Sequence, residues 1–308
     1  MTVKAVVFAY HDVGVRCLKA LLSGGVEVPL VVTVADDPRE AQWFASVADT
    51  AAEYGLPTIM PTDANTADVR QRVTSLQPDF IFSFYYRSML SDELLKAAAR
   101  GALNMHGSML PRYRGRAPVN WAILRGERET GATLHYMVAR ADAGDIVDQL
   151  AVPILQDDDA REVFAKVTVA AETVLSRSLP GLISDRAPRR PQAILPGEYF
   201  GRRTPEDGRI DWKGSAVEIH NLIRAVAPPF PGAFSDIEGE RWWFHKTRVE
   251  PARISPSERA RLFGANGHCY VACVDGGVLK VLAAATAAGA IDLASLAVTL
   301  QKQPISFR

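Results

Sequence analysis

The chain of 308 residues carries 35 basic and 35 acidic side chains, for a formal charge of zero, and is 48% hydrophobic and 23% charged. This is an ordinary globular composition whose length favours two unequal domains, and its neutrality argues against a protein built mainly to grip nucleic acid. The three cysteines, Cys17, Cys269 and Cys273, are too few for a disulfide framework and suit a reducing compartment. No apolar run approaches the ~20 residues that span a bilayer, and the opening Met1–Ala9 is too short and mixed for a signal peptide. A soluble, cytoplasmic protein without membrane attachment is expected.

Val3–Ala9 reads as a buried strand, followed by a helix from about Val13 to Leu22 that closes at Gly24-Gly25. Val28–Val34 is the next strand, and Pro38–Tyr54 is read as one helix with Pro near its start and Gly55 just past its end. Thr58–Met60 is a short strand, Ala67–Leu76 a helix and Asp79–Tyr85 a β-rich run, after which Ser91 caps a helix with acidic residues in its first turn. Strands and helices alternating at this spacing predict an α/β fold with a doubly wound, mostly parallel, Rossmann-like sheet.

Ala102–Met105 continues the sheet and leads into a loop rich in Gly, Pro and Arg. Pro118–Leu124 is helical, Thr133–Val138 and Ile146–Ile154 form a strand pair joined through Ala139–Asp145, and a long helix covers Ala160–Ile183. The proline- and arginine-rich stretch Ser184–Gln192 reads as a solvated connector. Domain boundaries are set at 1–190 and 204–308, with a linker over 191–203. The second domain has one helix, Ser215–Ala225, and β-like runs at Ala233–Glu238, Trp242–Val249, Cys269–Val274 and Val278–Ala283, which predict a small β-barrel-like, OB-like domain. Cys269 and Cys273 fall on one strand face, where packing explains them better than metal binding. His135, His220, His245 and His268 show no spacing suited to a metal, and none is expected.

The chemistry concentrates in Asn104–Pro118, where a parallel strand of the sheet ends. Ligands of open α/β sheets gather at the carboxyl ends of strands, and residues two apart in an extended segment project to one side. Asn104 offers a neutral N–H donor and His106 a proton carrier, the pair that acyl-type transfer needs. On these two residues alone, an Asn and a His capping a sheet edge is the better-supported reading. Asp142, in Arg140-Ala-Asp-Ala-Gly-Asp145, supplies a carboxylate. Beside an imidazole it would favour the imidazolium and raise its pKa above the usual ~6.5. Spacing does not separate Asp142 from Asp145, and both have a plain reading as turn residues.

Asn104-x-His106, Gly107-Ser108-x-Leu110-Pro111 and Asp142-x-Gly144 together resemble the folate-dependent formyltransferase family. Phe200–Trp212 and Ile223–Ala233 resemble the start of that family's C-terminal domain. Phe8-Ala-Tyr-His-Asp12, Phe82-Ser-Phe-Tyr-Tyr-Arg87, Tyr113-Arg-Gly-Arg-Ala-Pro118 and Val138–Gly144 are similar to the branch acting on UDP-4-amino-4-deoxy-L-arabinose, for lipid A modification and polymyxin resistance. The resemblance implies N10-formyltetrahydrofolate as co-substrate, no metal, a UDP-aminosugar acceptor and no nucleic-acid partner; methionyl-tRNA formyltransferase is the alternative of the same fold. It implies Asn104 as oxyanion donor, His106 as proton relay and Asp142 as the residue that holds and charge-tunes His106. By the same match Ser88, Met89, Leu90, Arg116, Val138, Ala139, Arg140, Ala141 and Asp142 line the folate site. The relatives of this branch carry a second, decarboxylating dehydrogenase domain. The sequence shows no Gly-x-Gly-x-x-Gly fingerprint for one, so a free-standing enzyme or a fragment is expected, with a separate UDP-glucuronate decarboxylase as a possible partner.

Overall fold

The computed structural model describes residues 2–38, 42–194 and 199–307. The chain divides into two compact units, one of Met1–Pro118, Glu129–Val152 and Ala165–Gly201, the other of Val119–Arg128, Pro153–Phe164 and Arg202–Arg308. No helix among the described residues is long and apolar enough to cross a membrane.

In chain order the elements leading through the first unit are β1 (Lys4–Ala9), α1 (His11–Ser23), β2 (Glu27–Val32), α2 (Val47–Glu53), β3 (Thr58–Ile59), α3 (Ala67–Ser75), β4 (Phe80–Phe84), α4 (Asp92–Leu95), β5 (Gly101–His106), β6 (Arg114–Gly115), α5 (Pro118–Leu124), β7 (Glu129–Tyr136), β8 (Ile146–Pro153), α6 (Ala160–Ile183) and β9 (Tyr199–Phe200). The main sheet runs β3-β2-β1-β4-β5-β7-β8. β3, β2, β1, β4 and β5 pair in parallel, whereas β7 joins β5 antiparallel. The strands are apolar on both faces because helices cover both, as a doubly wound sheet requires. Val6, Phe8, Leu30, Val32, Ile81 and Ala102 pack with Val69 and Val73 of α3 and Leu94 of α4. On the other face α1 and α6 meet: Arg16 donates from Nε and Nη2 to Glu172 at 2.7 and 2.6 Å. Pleating places Asn104 and His106 on the same side of β5 as Ala102.

One sequence expectation does not hold. The helix expected over Pro38–Tyr54 is limited to Val47–Glu53, and residues 39–41 lie outside the described residues. Ser46 caps it by accepting from the Asp49 N–H, while Trp43 and Phe44, ahead of the cap, pack their rings against His11. Aromatic packing and an N-cap outweigh the helical pattern there.

The second unit continues with α7 (Ala216–Ala225), β10 (Ala233–Ile237), β11 (Glu240–Arg253), β12 (Arg261–Ala265), β13 (His268–Ala272), β14 (Gly277–Thr286), β15 (Gly289–Ala290), α8 (Leu293–Lys302) and β16 (Ile305–Ser306). It is an antiparallel sheet of order β10-β11-β14-β13-β12-β16, with β15 added on β14. β11 is 14 residues long and its register against β14 shifts at several points, which curls the sheet around its core as in a partial barrel. Trp212 stacks on Phe307 at 3.7 Å, meets Phe244 edge-on and donates its Nε1–H to Ser235 Oγ at 2.9 Å. Cys269 and Cys273 are fully buried free thiols in the same core. β12 and α8, which the sequence pattern left unassigned, touch where a Cβ on Gly264 would stand 1.9 Å from the Ala297 carbonyl. Gly264→Ala is therefore expected to destabilise the protein by about 1–3 kcal/mol, read as a lower urea midpoint; an unchanged midpoint would show that α8 can move off β12.

Candidate functional site

The antiparallel junction of β5 and β7 builds the site. In its register Asn104 faces His135 and His106 faces Thr133. Asn104 and His106 are therefore held by two flanking strands, as residues of β5 itself rather than of the loop beyond it.

His135 is 1% exposed, and its Nδ1 lies 2.8 Å from the Tyr136 carbonyl oxygen. A carbonyl only accepts, so Nδ1 carries the proton and Nε2 presents a lone pair. That lone pair lies 3.1 Å from Asn104 Nδ2 and accepts from it. The Asn104 amide is thereby turned with its NH₂ toward His135, leaving its second N–H for another acceptor. Burial pushes the His135 pKa down to about 4, with the nearby Asp142 carboxylate opposing the shift and His106 adding to it. At neutral pH His135 is uncharged, as its acceptor role toward Asn104 needs.

His106, 7% exposed, donates from Nε2 to the Tyr113 carbonyl at 2.9 Å. Its Nδ1 stands 3.6 Å from Asp142 Oδ1, and the same oxygen lies 3.7 Å from His135 Nε2. The other carboxylate oxygen of Asp142 accepts from the Gly115 N–H at 2.9 Å. Tyr113 and Gly115 thus deliver opposite backbone poles, a carbonyl to the histidine and an amide to the aspartate.

Two devices hold these groups in place. Asp142 adopts φ +51°, a left-handed conformation rare outside Gly and tolerated best by Asp and Asn. Gly144 follows at a point where a Cβ would stand 2.0 Å from the Tyr136 carbonyl, and Gln192 Nε2 donates to the Asp142 and Gly144 carbonyls at 3.1 and 2.6 Å. Asp142 rather than Asp145 is the carboxylate brought to the histidines. On the strand side, Thr133 Oγ1 donates to the Ser108 carbonyl at 2.6 Å and accepts from Leu110 N–H and Gln149 Nε2 at 3.1 and 2.9 Å. Ser108 Oγ donates to the Arg112 carbonyl at 2.6 Å, so the loop that carries Tyr113 is anchored to β7.

Of the residues expected at the folate site, Ser88, Met89, Arg116, Val138, Ala139 and Arg140 are exposed, Met89 and Val138 unusually so for apolar residues at 54% and 45%. Ala141 is half-buried. Leu90 is different: its side chain is 5% exposed and belongs to the core beside α3 and α4. His135 was weighed in the sequence only as a metal ligand. Pairing Thr133-x-His135 against Asn104-x-His106 would have placed it, but that pairing needs the strand register. Among the described residues no group of three His, Cys, Asp or Glu side chains could hold a metal ion.

Because burial lowers the folded-state pKa of His135, the unfolded chain binds more protons between pH ~6.5 and ~4, and stability falls as pH drops through that window. Melting temperatures measured over this range are expected to fall more steeply for wild type than for His135→Gln; parallel curves would show that His135 is not held neutral by the fold.

The chain is similar in sequence and fold to known proteins. The sequence matches the family description "Formyl transferase" over residues 3–179 and "Formyl transferase, C-terminal domain" over 202–294. Similar solved structures include the N-formyltransferase from Helicobacter canadensis in complex with folinic acid and dTDP-3-aminofucose. It has a TM-score of 0.74 at 22% identity, over 91% of this chain and 99% of that one. WlaRD, a sugar 3N-formyl transferase with dTDP and 5-N-formyl-THF, has a TM-score of 0.72 at 20% identity, over 95% and 99%. A sugar N-formyltransferase from a Shewanella species has a TM-score of 0.63 at 17% identity, over 83% and 100%. With both family matches spanning most of its length, this chain belongs to the formyl transferase family.

Proposed function

We propose that this protein transfers the formyl group of N10-formyltetrahydrofolate to the amino group of a nucleotide-linked aminosugar, with UDP-4-amino-4-deoxy-L-arabinose as acceptor, in lipid A modification and polymyxin resistance. The observation that carries the chemistry is the Asn104 amide, turned by His135 so that one N–H remains available beside the His106–Asp142 pair. The sugar acceptor is supported by solved relatives described with nucleotide sugars and formylated folates. The arabinose branch is supported by the motifs around Tyr10, Phe82, Tyr113 and Val138.

On this reading the acceptor nitrogen attacks the formyl carbon and a tetrahedral oxyanion forms. Asn104 donates its second N–H to that oxygen, a contact that strengthens as charge develops there. The C–N10 bond then breaks, and the proton released by the attacking amine moves through His106 to N10. Asp142, with one oxygen held by the Gly115 N–H, keeps the other facing His106 and stabilises the ring while it carries positive charge. The exposed Met89 and Val138 offer apolar surface to the folate ring system, Ser88, Arg116, Ala139, Arg140 and Ala141 flank it, and Leu90 contributes through its backbone. Residues 1–190 form the catalytic domain, 191–203 a linker and 204–308 the accessory domain.

Asn104→Ala is expected to lower kcat by about 10²–10³ with little change in folate KM; normal turnover by a folded variant would remove Asn104 from the mechanism. Given N10-formyltetrahydrofolate, the purified protein is expected to formylate UDP-4-amino-4-deoxy-L-arabinose much faster than methionyl-tRNA or a dTDP-linked aminosugar. A preference for either rival would reject the acceptor proposed.

A further inference from the structure

The loop that links His106 to Asp142 contains a side chain that the formyl-transfer chemistry does not use. Arg114 lies between Tyr113, whose carbonyl accepts from His106, and Gly115, whose amide donates to Asp142. Its backbone is fixed on both sides: Tyr113 is left-handed at φ +57° and stacks on Phe200 at 4.8 Å, and Arg114 pairs with Tyr199 in the short β6–β9 ladder. The residue is 3% exposed, yet its Nε and Nη1 are buried without a hydrogen-bond partner among the described residues.

The other buried arginine among the described residues has its acceptors. Arg224, in the second unit, is 7% exposed and directs its guanidinium to Asn221 Oδ1 and the Asp158 carbonyl. A guanidinium stays protonated, so burying it without acceptors is costly, and a fold keeps such a group where something else supplies the acceptor. Arg112 and Arg116 flank it as exposed residues, which makes the loop locally cationic. Asp142, the carboxylate that meets this loop at the Gly115 amide, spends one oxygen there and turns the other to the histidines.

We infer that Arg114 is the binding group for the diphosphate of the nucleotide-linked acceptor, an inference that rests on the nucleotide-sugar reading above. The diphosphate is bonded to the sugar whose amine must reach Asn104 and His106, so it approaches the site together with the reacting group. Arg114 is one residue from the backbone contacts of both His106 and Asp142, and a guanidinium matches phosphate oxygens in geometry and charge. The folate glutamate, the other anion in the reaction, has the exposed Arg116 and Arg140 available at the rim. Holding the diphosphate at Arg114 would also tie acceptor binding to the loop that sets His106 and Asp142, so that a nucleotide sugar is sensed by the same backbone that orients the catalytic pair.

Calorimetric titration of wild type, Arg114→Gln and Arg114→Lys with UDP, uridine and folinic acid tests this. Arg114→Gln is expected to weaken UDP by about 10- to 100-fold, the size of a lost charged hydrogen bond, while uridine and folinic acid bind as before and Arg114→Lys falls between. Equal UDP affinity in wild type and Arg114→Gln, or a loss confined to folinic acid, overturns the inference. Should Arg114→Gln not fold, arginine-labelled wild type gives the answer by NMR: the Arg114 Nε–H resonance should move on adding UDP but not uridine, and indifference to UDP overturns it. Failure of UDP to bind wild type at all would instead bring down the nucleotide-sugar reading itself, and this inference with it.

Discussion

A buried histidine donating to the carbonyl of the next residue sets the polarity of the whole site. Because His135 Nδ1 is committed to Tyr136, its Nε2 can only accept from Asn104, and the asparagine amide loses its freedom to flip. The arrangement depends on His135 staying neutral, which burial among β-strand neighbours enforces. An asparagine on a loop would have to be ordered at each encounter with substrate. Here the ordering is completed when β7 pairs with β5, and the donor is preorganised before any ligand arrives.

The rest of the site is arranged so that loops inherit this rigidity. The segment 108–112 is bound to Thr133 and Gln149, and the next three residues then hand a carbonyl to His106 and an amide to Asp142. The turn carrying Asp142 is shaped by a left-handed aspartate and by a glycine that admits the Tyr136 carbonyl at close range. Loops provide the reach and the sheet provides the accuracy, a division common in α/β enzymes. The same loop encloses Arg114, so a buried positive charge and the backbone that orients His106 and Asp142 are parts of one piece of chain.

Much of this was legible in the residues. Alternating apolar runs identify the doubly wound sheet because buried parallel strands and amphipathic helices leave periodic signatures, and the bounds of α6 agree with its pattern. The stretch before α2 misleads, because Trp43 and Phe44 look like a helix's apolar face but serve an aromatic cluster with His11. β12 and α8 escape because a five-residue strand and a ten-residue helix draw their stability from packing more than from local preference.

What the sequence by itself determined is the chemistry available: an amide donor, a proton carrier and a carboxylate in a two-domain α/β protein with a curled β-domain. Each follows from residue type and local period, which are properties of neighbours along the chain. Only the tertiary structure decided between Asp142 and Asp145, brought His135 to Asn104, turned Leu90 into the core and left Nε and Nη1 of Arg114 buried without hydrogen-bond partners among the described residues. Those outcomes depend on strand register and on contacts between residues far apart in sequence. A one-residue slip of β7 would have sent His135 to the opposite face.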